Sequence, residues 1–362
     1  MNAPDFSDWL EFNPYAFSAD VKSHKLTKAL VELTKWHSVQ CESYQKILNV
    51  LVENTGSVNC LEDIPFIPVR LFKEFDLLSI ESDEVFKIMT SSGTSGQQVS
   101  KIYLDRKTAA LQTKVLSRLM SDVLGKKRLP MLIIDSPSIL KNRQAFSARG
   151  AGILGFSMFG LNVTYALDDS MSLDMPAIEA FLARHHGSPV FIFGFTFVIW
   201  QHFVLSLQKK GIHLPLDKGI VVHGGGWKKL QEQSVDNDAF RHALKSVANV
   251  NKVVNYYGMV EQTGSLFVEC EFGHLHAPIY ADVIFRRPID FGIAEVGEEG
   301  IIEVLSLLPC SYPGHALLTE DLGVLLGVDD CRCQRLGKYF RVIGRLEKAE
   351  MRGCSDTYET RT

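Results

Sequence analysis

The chain has 362 residues, 38 Lys and Arg against 42 Asp and Glu, a formal net charge of −4 and 46% hydrophobic residues. This is a globular composition that excludes a disordered or collagen-like chain, and the slightly acidic balance lacks the basic footprint of a general nucleic-acid binder. Seven cysteines are too sparse for a disulfide scaffold and odd in number, so reduced thiols and a cytoplasmic location are expected.

The first residues carry neither a basic nor an apolar region, so no signal peptide is expected. Residues 1–62 read as a helical segment packed on the main domain, with Leu26, Leu30, Leu33 and Trp36 on one face and Lys22, Lys25, Lys28 and Lys35 elsewhere. A proline-punctuated apolar segment follows at 64–79. From 85 to 305, β-rich runs at 85–89, 131–135, 190–195, 219–222 and 253–257 alternate with helical stretches at 106–124, 175–185 and 234–247. This alternation predicts an α/β fold with a largely parallel sheet. Strand-like runs then crowd together at 281–286, 300–307 and 336–343, predicting a β-rich subdomain over about 275–345. The most apolar stretch, 189–207, approaches the length of a membrane span, but Gly194, Thr196, Gln201 and His202 interrupt it. A buried strand followed by a core helix fits it better, and no membrane span is expected.

Chemistry-bearing segments punctuate this frame. Thr90-Ser91-Ser92-Gly93-Thr94-Ser95-Gly96 follows an apolar run, with Lys101 just beyond. Glycines let backbone amides approach an anion, and the hydroxyls and lysine add donors and charge, so the loop reads as a phosphate cradle. It is not a Walker A loop, because Gln97 follows Gly96. The run Val221-Val222-His223-Gly224-Gly225-Gly226-Trp227 reads as a strand ending in a glycine turn that a flat ligand such as adenine can approach. A lipase-type oxyanion loop is the rival reading, but it needs a Gly-x-Ser-x-Gly elbow, and the nearest candidate at 155–160 has the wrong spacing. Tyr256-Tyr257-Gly258 leads to Glu261, Leu317-Leu318-Thr319-Glu320-Asp321-Leu322-Gly323 is an acidic segment, and Arg341 and Arg345 flank Val342-Ile343-Gly344.

Taken in this order, the segments resemble the motifs of the adenylate-forming superfamily of acyl and aryl ligases. Val260 stands where that superfamily's Tyr-Gly-x-Thr-Glu motif has Thr, and Glu320 replaces the middle glycine of its Thr-Gly-Asp segment. Ser91-Ser92-Gly93-Thr94-Ser95-Gly96-Gln97, 100–106, His223-Gly224-Gly225-Gly226-Trp227-Lys228 and Arg352-Gly353-Cys354-Ser355-Asp356 narrow the likeness. The chain is similar to the bacterial acyl-protein synthetases of the LuxE type, the long-chain-fatty-acid–luciferin-component ligases.

The resemblance implies an adenylate-forming domain at 63–345, built as two α/β lobes plus the β-rich subdomain. It also implies that the superfamily's mobile C-terminal domain is absent, with 346–362 a tail. The implied reaction joins a fatty acid to ATP as acyl-AMP, then passes the acyl group to Cys354 and onward to an acyl reductase subunit, with an acyl-transferase subunit a further partner. The same fold acting on another aryl or acyl carboxylate is the alternative, and a nucleotide-sensing protein without chemistry a third. In the implied site Thr90 to Gly96, with Lys101, hold phosphates. Gly224, Gly225, Gly226, Tyr256, Tyr257 and Gly258 hold adenine, Asp321 the ribose, Arg341 and Arg345 the nucleotide at the hinge, and Glu261 Mg²⁺. Lys101, Lys338 and Lys348 are the candidates to replace the lysine of the absent domain. Phe156, Met158, Phe159, Phe195 and Phe197 are candidates for an acyl pocket, with plain core as the competing reading. Relatives among the phenylacetate ligases have Cys/His sets that look like zinc sites near the positions of Cys270, His274, His276, Cys331 and Cys333. A tetrahedral zinc ion would accept Cys270, His276, Cys331 and Cys333, with unliganded thiols the alternative.

Overall fold

The computed structural model describes residues 3–51, 58–91, 99–140, 148–227 and 235–346. Helices α1 (Ala19–Gln40) and α2 (Glu42–Leu51) precede strand β1 (Ile67–Pro68) and the short α3 (Leu71–Glu74). A hairpin of β2 (Lys87–Thr90) and β3 (Lys101–Leu104) leads into α4 (Arg106–Leu124). The alternating half runs β4 (Leu129–Ile133), α5 (Ala148–Ser157), β5 (Gly160–Tyr165), α6 (Met175–Arg184) and β6 (Val190–Phe195). It continues through α7 (Thr196–Val198), a π-helical turn (Ile199–Val204), α8 (Leu205–Lys210), β7 (Gly219–Gly224), α9 (Asn237–Ala248) and β8 (Lys252–Tyr257). The strand-rich half holds β9 (Phe267–Glu269), β10 (Leu275–His276), β11 (Ala281–Arg286), β12 (Glu299–Ser306), β13 (Ala316–Val328) and β14 (Lys338–Arg345).

Local signals set the helix ends. Asp105, Asp174 and Asp236 each accept a backbone N–H from the first turn of α4, α6 and α9, satisfying donors that the helix itself leaves open. Gly125 (φ 80°) ends α4 and Asn249 (φ 53°) ends α9 in left-handed backbone that cannot continue a helix.

Eleven strands follow one another in the order β11-β12-β13-β14-β10-β9-β8-β7-β6-β4-β5, with β1 added on β13, making one twelve-stranded sheet. Strands β5, β4, β6, β7 and β8 are parallel, and from β8 to β9 onward the pairing turns antiparallel, except that β1 lies parallel to β13. The β-rich end is thus hydrogen-bonded to the α/β half through a shared sheet. The run at 85–89 does not join the parallel sheet: β2 pairs only with β3, and Lys87 and Ile88 are exposed, so it has no buried face to bring to that sheet.

The faces of the parallel half are covered differently. Leu132, Ile192 and Val221 pack with Phe203, Leu207, Phe240 and Leu244 from the helices after β6 and before β8. Met131, Phe191, Phe193 and Val222 pack with Val115, Leu119, Ile153 and Phe156. Helix α1 lays Leu26, Leu30 and Leu33 against Ile284, Leu305 and Leu307 of the strand-rich half. Each such leucine contributes about 2 kcal/mol by leaving water. Lys22 on the same helix is buried, with Nζ 3.4 Å from Asp282 and close to the carbonyls of Ala277 (3.2 Å) and Ala281 (3.3 Å). Among the described residues no helix is long and apolar enough to cross a membrane.

Candidate active site

In a parallel α/β sheet, ligands sit beyond the carboxyl ends of the strands. Here β6 ends in Phe195, β7 in Gly224 and β8 in Tyr257, side by side. Close packing makes the glycines necessary. A Cβ on Gly224 would lie 2.6 Å from the Tyr256 ring, and one on Gly225 would lie 2.9 Å from the Phe195 ring. Gly225 also has φ 81°, which a side chain would strain. Gly225 and Gly226 are exposed, so the turn presents bare backbone at the strand ends.

Next to this turn the structure gathers three of the expected nucleotide residues. The Tyr257 hydroxyl donates to Asp321 Oδ2 at 2.7 Å, and Arg345 Nε lies 3.6 Å from Asp321 Oδ1. Asp321 sits mid-strand in β13 rather than in a turn between strands, paired opposite Arg345 where the β13–β14 register shifts. Burial raises the Asp321 carboxyl above its ordinary value, opposed by the Tyr257 hydrogen bond and Arg345. Arg341 is exposed on the same strand, opposite Val324. Gly258 is exposed immediately after β8.

Glu261 lies in a single 3-10 turn (Val260–Gln262), anchored by Gln262, whose amide donates to the carbonyls of Val304 and Gly314. Its side chain is 7% exposed and has no ion pair among the described residues. Burial raises its carboxyl above the ordinary range, while Ser100, Lys73 and Arg345 pull the other way. A buried carboxylate with cations only nearby is the donor that Mg²⁺ coordination needs, so the residue fits that ion.

The residues flanking the expected phosphate loop form a closed neck. Ser91 N–H donates to Ser100 O at 3.1 Å and Ser91 Oγ accepts from Ser100 N–H at 2.9 Å, and Thr90 pairs with Lys101 across the hairpin. Ser92, Gly93, Thr94, Ser95 and Gly96 lie outside the described residues, as do Lys348 and Cys354. Lys101 Nζ is 3.3 Å from Asp76 Oδ1, an oxygen that also accepts from the Tyr103 hydroxyl at 2.7 Å. Lys338 is held elsewhere, donating to Val283 O at 3.0 Å and lying 3.7 Å from Asp282. Of the aromatic candidates, Phe156 stacks between Phe193 (4.4 Å) and Tyr256 (5.1 Å), and Phe195 packs over Gly225 and Gly152, whereas Met158 is exposed.

Sequence reasoning did not assign roles to Asp76, Ser100 and Thr196. Thr196 carried a faint signal, as a hydroxyl inside the most apolar stretch, and Ser100 stood in the segment 100–106 that narrows the family likeness; Asp76 carried none.

At the strand-rich end the four expected metal-ligating residues converge. One ligand atom from each of Cys270, His276, Cys331 and Cys333 lies within 4.8 Å of the others. The Sγ atoms of Cys331 and Cys333 are 3.4 Å apart, Cys333 Sγ is 3.2 Å from His276 Nε2, and Cys270 Sγ is 4.0 Å from Cys331 Sγ. His274 Nδ1 lies 3.4 Å from Cys331 Sγ, outside that set of four. Burial pushes the Cys333 thiol up to about 12 and the His276 ring down to about 3.

The mixed twelve-stranded sheet with its helices has the fold of the adenylate-forming ligases. Solved structures of 2-hydroxyisobutyryl-CoA ligase share that fold. In the open conformation with 2-HIB-AMP and CoA the TM-score is 0.72 at 15% identity, covering 92% of this chain and 77% of that one. In the postadenylation state with 2-HIB-AMP the TM-score is 0.72 at 13% identity, covering 92% and 70%.

The model of the LuxE acyl-protein synthetases matches residues 5–361, and the chain belongs to that family. It is similar to the long-chain-fatty-acid–luciferin-component ligase of Vibrio harveyi, 25% identical over 82% of this chain and 78% of the relative. It is also similar to the ligase of the same description from Aliivibrio fischeri, 21% identical over 94% and 90%.

Proposed function

We propose that the protein activates a long-chain fatty acid with ATP and carries the acyl group on Cys354 as a thioester for delivery to an acyl reductase subunit. An acyl-transferase subunit is a further partner of this reading. The observation that carries it is the placing of the Gly224–Gly225–Gly226 turn at the end of β7 and the Tyr257–Asp321–Arg345 contact at the end of the neighbouring strand β8. Family membership and the descriptions of the two relatives supply the substrate class.

In the first step a carboxylate oxygen attacks the α-phosphorus, a new P–O bond forms, and the bond to pyrophosphate breaks. The difficulty is the approach of one anion to another, so positioning and charge neutralisation are the catalytic needs. The turn and Tyr256 would hold adenine, Asp321 would accept the ribose hydroxyls, and Arg345, Arg341 and the loop from Thr90 to Gly96 would meet the phosphates. Glu261 would hold Mg²⁺, which would supply electrostatic stabilisation of negative charge on the phosphates. Lys101 has to leave Asp76 to reach them, a pair exposed enough to break at little cost. In the second step the Cys354 thiolate attacks the acyl carbonyl and AMP leaves.

Carboxylate-dependent ATP–pyrophosphate exchange across a panel of fatty and aryl acids reads the substrate directly. Fatty acids are expected to lead; an aryl or short acyl preference would favour the alternative ligase, and no exchange with any acid would sink the enzymatic reading. With radiolabelled fatty acid and ATP, Cys354→Ser should lose the hydroxylamine-labile acyl-protein. Full labelling of that variant would overturn the acceptor assignment.

For the strand-rich cluster we propose a structural zinc ion on Cys270, His276, Cys331 and Cys333. The support is ligand spacing: atoms on a tetrahedron around zinc stand roughly 3.3–3.8 Å apart, given bonds of about 2.0–2.3 Å. Four protein ligands leave no open coordination position, so the ion would brace the fold and take no part in the reaction. Metal analysis should find one zinc per chain, and protein purified without zinc in full fold would refute the site.

A further inference from the structure

The residues beneath the glycine turn form a hydrogen-bond chain of their own. Thr196, the first residue of α7, is buried, and its Oγ1 lies 2.9 Å from His223 Nδ1 and 3.2 Å from Gly224 O. His223 is buried, and among the described residues its Nε2 has no hydrogen-bond partner. The imidazole lies 4.5 Å from the Phe240 ring, and Trp227, at the other end of the turn, packs 6.3 Å from the same ring and 5.8 Å from Trp200. Both ends of 223–227 are therefore seated on Phe240 while Gly225 and Gly226 stay exposed.

A hydroxyl has one proton, and this restricts the arrangement. If the imidazole proton were on Nε2, a buried donor would be left unpaired. The threonine proton would also have to choose between Nδ1 and the Gly224 carbonyl. With the proton on Nδ1, His223 donates to Thr196 and Thr196 donates to Gly224 O. Only the Nε2 lone pair is then unmatched, in an aromatic surrounding. Nε2 is unmatched in either arrangement, but the second makes two hydrogen bonds where the first makes one, so the second is preferred.

We infer that His223 and Thr196 are positioning residues. The Nδ1-protonated imidazole and the threonine hydroxyl relay hydrogen bonds to the Gly224 carbonyl and fix the angle at which the turn meets an adenine nucleotide. This rests on the reading of the turn as the adenine site. A group that fixes a binding surface without touching the reacting atoms acts on ground state and transition state alike. Its loss therefore raises KM and spares kcat.

Two measurements test this. In ¹⁵N-histidine spectra of the unsubstituted protein, His223 should be the Nδ1–H tautomer at neutral pH, its signal assigned by its loss in His223→Asn. The Nε2–H tautomer would overturn the relay. In ATP–pyrophosphate exchange, Thr196→Val should raise the KM for ATP roughly 2- to 10-fold, the worth of one hydrogen bond. The kcat should change far less, and Thr196→Ser should restore most of the loss. An unchanged KM in Thr196→Val, with exchange intact, overturns the relay while leaving the adenine site standing. Failure of the unsubstituted protein to bind ATP would overturn the adenine reading and the positioning role with it, a result that the tautomer cannot mimic.

Discussion

At the scale of single residues, the site is defined by what cannot be added to it. Gly224→Ala places a methyl group 2.6 Å from the Tyr256 ring, closer than carbon atoms pack, so ring and turn must part. The expected result is a KM for ATP raised about 10-fold or more with the fold retained, measured by exchange kinetics beside circular dichroism. Tyr257→Phe probes the neighbouring contact. Burial raises the Asp321 carboxyl and the Tyr257 hydroxyl opposes that rise, so removing the hydroxyl raises the carboxyl further. In the proposed site Asp321 accepts two ribose hydroxyls, for which its ionised form is the stronger acceptor. The KM for ATP should therefore climb as pH falls through its titration, and in Tyr257→Phe the climb should begin at higher pH. Overlapping pH profiles would show that Asp321 does not contact the ribose.

At the scale of elements, local pattern and long-range pairing were legible to different degrees. The helix Arg106–Leu124 and the strands Val190–Phe195 and Ala281–Arg286 have the limits that their periodicity, caps and apolar runs predict. Tyr257, Asp321 and Arg345 could be singled out by motif, and they do meet. Strand β3 and the solitary hairpin were not legible, because pairing partners are chosen by the rest of the chain. Nor was the seat of α1, whose Lys22 and Trp36 reach Asp282 and the Cys310 carbonyl across more than half of the sequence. The Cys/His cluster joins the connection between β13 and β14 to the β9–β10 region. Cys270→Ser should lower the zinc content and drop the Tm by roughly 5 °C, scanned by calorimetry with metal analysis of the same sample. An equal Tm with zinc lost would mean that these elements hold without the brace.

At the scale of the whole molecule, buried histidines set the acid limit of stability. His37 and His315 stack 5.0 Å apart in the interior, with His37 held by Ser79 and Pro309 and His315 by Thr34. Burial holds the His37 ring well below its ordinary value and pushes His315 down to about 3. Unfolded histidines take up protons below about 6.5, so the unfolded chain binds more protons and stability falls as pH drops below that value. Between pH 6.5 and 5 the His315 ring costs about 2 kcal/mol, and His37 adds in the same direction. His315→Gln should lessen by that amount the loss seen in urea titrations at pH 7.5 and 5. An undiminished loss would show that His315 charges within the fold.

The π-helical turn Ile199–Val204 has a consequence for chain length. Thr196 and Val198 are buried before it, Ile199 at its start, Phe203 and Val204 at its end, and Leu207 after it. A π turn carries about one residue more than an α turn, which shifts the phase of everything beyond it by roughly 100°. Deleting Gln201 would restore a regular helix with its two buried faces out of phase. Either the threonine would leave the glycine turn, or the phenylalanine and leucine would swing out of the core. The extra residue works as a spacer, letting one helix serve both the ligand face and the hydrophobic interior.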